Sequence, residues 1–331
     1  MKLVYFAFNN RYRFKDLNNF LKSRLYRKHL VLNLAGPFRS FIAKIFLKLN
    51  FGFAISCDAR PLITNEKKGI NFFVRGTNLN IPIRYRYLKN NFVSINNPFE
   101  HQSNLFQVYP INIQNCKMKK KMKIIYASQI NLNTTELEKN LWNEYKKEII
   151  KDFTIIDKQS FWDKILNEEQ IVNKYIYYRK FKLLLRFEIV KYLKTNFHDK
   201  FELIGDLWLK YFKDTSPSNF NQNYLKNLYK GNLCLDLGSI EGSSSLYSRS
   251  NQIIESGGLI IQAKQVDYKD KWNKLEKKIL FRNFDDLTEL INCVLNNYSY
   301  SNQLLQEISQ NFSSSKDHIE QNLEMILKVN N

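Results

Sequence analysis

Two stretches in the second half of this chain decide its fold: FELIGDLWLKYF over residues 201–212 and LKNLYKGNLCLDLGSIEGSSSLYSRSNQIIESGGLIIQ over residues 225–262. Together they predict a strand, a glycine turn, a helix, a second strand, a Ser-rich loop, a further helix, a glycine pair and a third strand. Strands that alternate with helices indicate a parallel sheet. Ligands of such sheets bind in the crevice beyond the carboxyl ends of the strands, where the Ser-rich loop is expected.

The first half shows the same alternation. Apolar runs predict strands at Leu3–Ala7, Leu30–Asn33 and Phe51–Ser56, with further strands at Asn71–Val74 and Phe92–Ile95. A lysine-rich run over residues 117–123 then precedes a new strand, Ile124–Ala127, and this pattern marks a domain boundary. We therefore predict an α/β protein with two domains, residues 1–116 and residues 117–331.

Composition restricts the class of protein. Hydrophobic residues make up 44% of the 331 residues and charged residues 25%, as is usual for a folded globular protein. Four cysteines and four histidines are scattered without metal-ligand spacing, so a zinc site is not expected. No signal-peptide pattern and no membrane-spanning apolar run is visible, which favours a cytoplasmic protein with reduced thiols.

Charge is distributed unevenly along the chain. Residues 1–120 contain 21 Lys and Arg against 4 Asp and Glu, whereas residues 121–331 contain 30 against 27. A lysine-rich codon bias would raise the lysine content of both halves of the chain alike. The basic first half therefore predicts contact with an anionic partner, whether nucleic acid, an anionic membrane or an acidic substrate.

One predicted helix of the first half, residues 37–49, has a marked apolar face. Six large apolar residues fall on it, and the cations of the segment lie off it: Phe38, Phe41, Ile42, Ile45, Phe46 and Leu49, against Arg39, Lys44 and Lys48. Such a face is typical of a helix that packs on the core of an α/β domain. The mixture of Phe, Ile and basic residues would also suit docking on a membrane surface.

The crevice predicted in the second half suits a diphosphate. Gly205 ends one strand, and the loop containing Ser243, Ser244 and Ser245 follows another. The next helix would direct its free N–H groups into the same crevice, and Arg249 in its first turn would add a guanidinium for phosphate oxygens.

The pattern Arg249-x-x-Gln252-x-x-x-x-Gly257-Gly258 resembles a signature of group 1 glycosyltransferases, especially those of the spore-maturation-protein type. Three flanking segments resemble the family in the same order: Phe201–Trp208, Leu228–Leu235 and Ile279–Leu290. The resemblance covers roughly residues 185–328. It implies the GT-B arrangement, in which two Rossmann-like domains face each other across a cleft, and a nucleotide-sugar donor bound by the second domain.

The resemblance also implies residue roles. Gln252 stands where the family commonly has a glutamate that binds the donor ribose, and Glu255, one helical turn on, would supply a carboxylate instead. Enzymes of this type need no metal or other cofactor as a rule, and the chain has no DxD motif. An inverting enzyme needs a general base, for which Asp58 is the candidate. Both stereochemical outcomes remain open.

The basic first half then implies an anionic or lipid-linked glycan acceptor, as in surface-polysaccharide synthesis at the inner leaflet of a membrane. A nucleic-acid-binding protein is the main alternative, although no known binding module is visible. A donor-binding protein without activity is another. Simpler structural roles also stay open: a helix C-cap for Gly257 and Gly258, a salt bridge for Arg249, a solvated face for Glu255, and ordinary turns for Asp58 and for Ser243, Ser244 and Ser245.

Overall fold

The structure is a computed structural model that describes residues 3–8, 15–33, 37–49, 51–57, 69–73, 91–93, 99, 110–171, 173–217, 221–240, 248–265, 272–313, 317 and 319–321. The chain divides into two compact units. The first unit comprises Met1–Asn112, Ser245–Ser248 and Phe312–Asn331, and the second comprises Ile113–Ser244 and Arg249–Asn311.

The C-terminal segment belongs to the first unit, whereas the sequence predicts one continuous second domain over residues 117–331. Phe312 and Ile319 are buried, with exposed fractions of 4% and 0%. Glu320 forms an ion pair with Arg24 at 3.2 Å. Apolar burial and this ion pair together explain why the segment returns to the first unit.

The first unit is built on a parallel sheet of five strands: β1 (Leu3–Phe8), β2 (Leu30–Asn33), β3 (Phe53–Cys57), β4 (Gly69–Phe73) and β5 (Asn91–Val93). Their spatial order is β2-β1-β3-β4-β5. Val4 of β1 lies opposite Val31 of β2 on one side and Phe53 of β3 on the other. In the part of this unit that the structure describes, helices α1 (Lys15–Lys28) and α2 (Pro37–Lys48) accompany the sheet.

Helix α2 packs through a narrow face of small and medium side chains. Ala43 and Leu47 are buried in a cluster with Tyr5 of β1 and Ala54 of β3. The apolar face predicted from the sequence lies elsewhere on the helix, and its described members are exposed: Phe41, Ile42, Ile45, Phe46 and Leu49. Helix α2 therefore packs on the core of its domain, as one of the two interpretations predicts, but it does so through Ala43 and Leu47 and not through the predicted apolar face.

The second unit contains its own five-stranded parallel sheet: β6 (Ile124–Ala127), β7 (Phe201–Ile204), β8 (Leu233–Asp236), β9 (Leu259–Ala263) and β10 (Leu280–Phe281). The order is β10-β9-β8-β6-β7. Every residue of β6, β8 and β9 is buried, as is typical of parallel strands that are covered on both faces. Both units therefore have doubly wound, Rossmann-like α/β sheets with the same strand order.

Nine helices of the second unit surround this sheet among the residues described: α3 (Glu136–Lys151), α4 (Gln159–Ile165), α5 (Glu168–Ile171), α6 (Lys174–Asn196), α7 (Gln222–Tyr229), α8 (Ser248–Glu255), α9 (Glu276–Ile279), α10 (Phe284–Asn296) and α11 (Tyr298–Asn311). Short 3-10 helices occupy Phe153–Asp157, Asp206–Lys210 and Asn273–Leu275. Helix α3 begins with a capping box, in which Thr135 accepts from the Glu138 amide and Glu138 accepts from the Thr135 amide.

A buried ion pair joins the long helix α6 to the 3-10 helix before α4. The ammonium of Lys182 lies 2.6 Å from the carboxylate of Asp157, and the two side chains are 7% and 0% exposed. The hydroxyl of Tyr178 donates to the same carboxylate at 3.0 Å. Burial and the neighbouring Asp157 raise the pKa of Tyr178 well above its usual value, so the phenol remains a neutral donor.

We expect Lys182→Ala to destabilise the second unit by about 3–5 kcal/mol, because it leaves the Asp157 carboxylate buried without its cation. The pair formed by Lys146 and Glu188 is a matched control, since its atoms are also 2.6 Å apart but its side chains are 34% and 19% exposed. Lys146→Ala should cost less than about 1 kcal/mol. Urea denaturation measures both values, and equal losses would contradict this account.

Candidate functional site

The strand order of the second unit creates a crevice at the carboxyl ends of β6 and β8. The chain runs from β6 to β7 on one side, then crosses to β8, β9 and β10 on the other. The connections that leave β6 and β8 lead to opposite sides of the sheet, so a gap opens between them. This position is the switch point, and ligands of doubly wound sheets bind there. The residues that follow β6, β7 and β8 therefore define the candidate site.

The turns after β6 and β7 are packed directly against each other. Gly205 has a φ of 147°, and a Cβ atom there would lie 1.9 Å from the carbonyl oxygen of Ser128. The indole of Trp208 donates to the Ser128 hydroxyl at 3.1 Å, and the Leu207 amide donates to the side chain of Gln129 at 2.8 Å. Gly205 thus lies at the predicted edge of the sheet, where it allows the two turns to meet.

Arg249 lies at the start of α8 and is directed at the end of β8. Its guanidinium is 3.8 Å from the carboxylate of Asp236 and lies over the ring of Tyr126, 5.6 Å from the centroid. Only 14% of the Arg249 side chain is exposed. The structure therefore gives Arg249 an ion pair and a cation–π contact, both inside the second unit.

Asp236 is the centre of a buried polar network at the same edge. Its carboxylate accepts from the amide of Gly238 at 3.1 Å, from the side-chain amide of Gln262 at 2.8 Å and from the hydroxyl of Ser250. The other end of the Gln262 amide accepts from the indole of Trp272 at 3.1 Å. Asp236 and Gln262 are fully buried, so the network joins β8, β9 and the first turn of α8 in the interior of the unit.

Gly257 and Gly258 close the opposite end of α8. The Gly257 amide donates to Ile254 at 3.0 Å and the Gly258 amide to Ile253 at 2.9 Å, which is the pattern of a Schellman cap. Gly257 has a φ of 72°, as the position requires. An eight-residue helix is about 12 Å long, so the structure does not bring the glycine pair together with Arg249.

A half-buried thiol also contacts Gly257. Cys116 donates through Sγ to the carbonyl of Gly257 at 2.9 Å. Burial raises the pKa of the Cys116 thiol, which keeps it protonated as a donor. Gln252 lies in the middle of α8 and Glu255 is its last residue, and both are half-buried. Asp58, Ser243, Ser244 and Ser245 lie outside the described residues.

A cavity of about 490 Å³ opens at the switch point, within the range of small-molecule sites. The connections after β6, β7 and β8 contribute one part of its wall, and one face of α6 contributes the other. The lining residues are Gln129, Ile130, Asn131, Asn133, Ile176, Arg179, Lys180, Leu183, Arg186, Leu207 and Ile240.

No protein-family model, curated protein or solved structure matches this chain. The resemblance to group 1 glycosyltransferases therefore rests on the four short motifs of the second half alone.

The cavity carries an excess of positive charge. Arg179, Lys180 and Arg186 line it, and none of the described lining residues is acidic. Lys180 contacts the carbonyl of Asn133, and its ammonium is 4.0 Å from the carboxylate of Glu138. A lining with three cations and no acidic residue among those described favours an anionic ligand.

Arg186 is the most constrained of the three cations. It is 9% exposed, and one of its terminal nitrogens donates to the carbonyl of Gly238, directly after β8. Its Nε is buried and has no hydrogen-bond partner among the described residues. A buried guanidinium with spare donor capacity beside an open cavity can bind a phosphate or a carboxylate.

Sequence reasoning missed these three cations. They lie on α6 in a stripe with Ile176 and Leu183, at the spacing i, i+3, i+4, i+7 and i+10. The signal was available as a helix face that mixes cations with aliphatic residues. Only the packing of α6 on the sheet shows that this face adjoins the switch point. Among the described residues, no cluster of His, Cys, Asp and Glu has the arrangement of a metal site.

Proposed function

We propose that this chain is a GT-B glycosyltransferase whose second unit binds a nucleotide-activated sugar in the switch-point cavity. The observation that carries the proposal is the cavity itself: it adjoins the carboxyl ends of β6 and β8 and is lined by Arg179, Lys180 and Arg186. Three cations at the switch point of a doubly wound sheet suit a nucleoside diphosphate, which carries most of its charge on adjacent phosphates. The motif resemblance around Arg249 supports the same class of enzyme.

The proposed reaction depends on stabilising the leaving group. When the glycosidic bond to the nucleotide breaks, negative charge grows on the diphosphate, and fixed cations stabilise that charge more than they stabilise the bound substrate. Arg186 is held by Gly238 before any ligand arrives, so its orientation requires little rearrangement. The side-chain amides of Gln129, Asn131 and Asn133 would form hydrogen bonds with the sugar and the base, as donors or as acceptors.

Arg249 acts in this proposal as a positioning residue. Its ion pair with Asp236 attaches the first turn of α8 to the end of β8, beside the turn that Arg186 holds. The family resemblance implies donor contact by Arg249 and by Gln252 or Glu255. The roles of Gly205, Gly257 and Gly258 follow from backbone geometry, because each allows a close approach or a cap.

The first unit would bind the acceptor. Residues 1–112 of this unit contain 18 Lys and Arg against 4 Asp and Glu, and this cation excess suits an anionic or lipid-linked glycan. Asp58 remains the candidate general base for an inverting reaction. An RNA or DNA pool is the control ligand, since nucleic-acid binding with a steep salt dependence would support the alternative function.

A thermal-shift panel of nucleoside diphosphates and nucleotide sugars tests the donor site. A ligand at about 100 times its dissociation constant stabilises by about 2.7 kcal/mol, so one nucleotide class should raise the melting temperature by about 5–10 °C. The double variant Arg179→Gln/Lys180→Gln should lose this shift, measured against its own ligand-free melting temperature.

The matched control removes two exposed lysines of α3 that do not line the cavity, Lys147→Gln/Lys151→Gln, and should keep the full shift. If no nucleotide shifts the wild type, or if both double variants respond alike, the donor site is assigned wrongly. Slow hydrolysis of the bound nucleotide sugar distinguishes an enzyme from a protein that only binds the donor.

A further inference from the structure

Helix α2 turns its most apolar face to solvent. The exposed fractions of Phe41 and Leu49 are 62% and 60%, and those of Ile42, Ile45 and Phe46 are between 37% and 43%. Phe51, just beyond the helix, is 61% exposed and packs edge-on against Phe46, with 6.4 Å between ring centroids. These six residues form one surface, which we call the α2 apolar face.

The α2 apolar face is not a by-product of loose packing. At 100° per residue, its centre lies roughly 150° around the helix from the side on which Ala43 and Leu47 are buried. Ala43 is 1% exposed and Leu47 is 2% exposed, so the inner side of the helix is fully packed. Large aromatic and aliphatic side chains thus occupy the side of α2 that is turned away from the sheet. Contiguous exposed apolar surface of this kind marks an interaction site.

The excess of basic residues in the first half of the chain indicates the class of partner. Lys48 is exposed at the end of α2, and the first 120 residues contain 21 cations against 4 anions. A protein partner would have to match an apolar stripe on a segment with a large excess of basic residues. A bilayer that contains anionic lipid offers both properties, since its headgroups attract Lys and Arg and its acyl boundary accepts Phe, Ile and Leu.

We propose that the α2 apolar face docks on the surface of an anionic lipid bilayer. The helix lies in the plane of the interface and does not cross it: its 12 residues span about 18 Å, against about 30 Å of hydrocarbon. Among the helices that the structure describes, none has the length and apolarity required to cross a membrane. This interaction is independent of the donor site in the second unit.

Vesicle flotation tests the proposal on the full-length chain. We compare vesicles of phosphatidylcholine with 30% phosphatidylglycerol and vesicles of phosphatidylcholine alone. The wild type should bind the anionic vesicles at least about tenfold more tightly, and the double variant Phe41→Ser/Ile45→Ser should lose about tenfold of that affinity. Both side chains are exposed, so the variant should fold with an unchanged melting temperature.

The matched control removes two exposed leucines of the second unit, Leu137→Ser/Leu209→Ser, which are 46% and 43% exposed. It should bind as the wild type does. Failure of the wild type to float with anionic vesicles, or equal losses in both double variants, would overturn the proposal. Concentration-dependent dimerisation that Phe41→Ser/Ile45→Ser abolishes, without vesicle binding, would assign the face to a second copy of the chain.

A fluorescent reporter shows whether the α2 apolar face itself enters the lipid. All four native tryptophans, Trp142, Trp162, Trp208 and Trp272, are buried in the second unit. In the variant Phe46→Trp the added indole is exposed, and vesicles with brominated acyl chains should quench its emission while leaving the native emission unchanged. Vesicle binding without this quenching would show that another surface docks, and would contradict the proposal.

Discussion

Replacing Gly205 with alanine is expected to destabilise the second unit by about 3–5 kcal/mol. Two causes act together. A Cβ atom would lie 1.9 Å from the carbonyl oxygen of Ser128, which is backbone and cannot swing away, and the φ of 147° is unfavourable for any L side chain. The turns after β6 and β7 would have to separate, and both contribute to the switch-point cavity.

Urea denaturation of Gly205→Ala measures this loss. Leu209→Ala is the control in the same turn, because its side chain is 43% exposed and its backbone is unaffected; it should cost less than about 1 kcal/mol. A loss below about 1 kcal/mol for Gly205→Ala would show that the two turns separate easily and that their close packing contributes little to stability.

Removal of the Asp236 carboxylate is expected to have a comparable effect. Asp236→Ala should cost about 3–5 kcal/mol, because it leaves Arg249 without its anion and removes the acceptor for three donors in a fully buried network. Asp236→Asn keeps the size of the side chain but removes its charge. It should be less damaging than Asp236→Ala, yet still clearly destabilising.

A double-mutant cycle isolates the ion pair within that network. Asp236→Asn combined with Arg249→Met should be more stable than the sum of the two single changes predicts, because neither charge is then left alone. Additive losses would show that Arg249 and Asp236 do not interact, despite the 3.8 Å between their charged atoms. The other hydrogen bonds of Asp236 change in the same way in Asp236→Asn and in the double variant, so their contribution cancels in the cycle.

Much of the fold could be predicted from the sequence, since buried parallel strands leave a strong local signal. The run LCLD of β8 and the run LIIQA of β9 are nearly continuous apolar segments. The sequence predicts these strands at Leu233–Leu237 and Leu259–Gln262, each within a residue of the observed ends. The same holds for β1, although it lies far from the motifs. Local pattern is sufficient here because burial on both faces leaves few polar positions.

The site was harder to predict because it depends on contacts between distant residues. Arg249 was found by its motif, but its pairing with Asp236 joins two elements that only the fold brings together. The cations of α6 follow a helical stripe that sequence alone does not orient. Gly257 and Gly258 illustrate the reverse case. They share a sequence motif with Arg249, but they cap the opposite end of α8.

Helix α2 shows a further limit of pattern reasoning. Its large apolar residues form a clear stripe, and that stripe is normally the buried one. In this protein Ala43 and Leu47 face the sheet instead, in a cluster with Tyr5 and Ala54. Periodicity identifies a face but not its partner.

Calorimetric titration of the wild type with a nucleoside, its monophosphate and its diphosphate tests the central claim most directly. If Arg179, Lys180 and Arg186 bind a diphosphate, affinity should rise about tenfold or more with each phosphate and should fall as salt increases. Equal affinity for the three ligands, or binding that does not respond to salt, would contradict a cation-lined diphosphate site at the switch point.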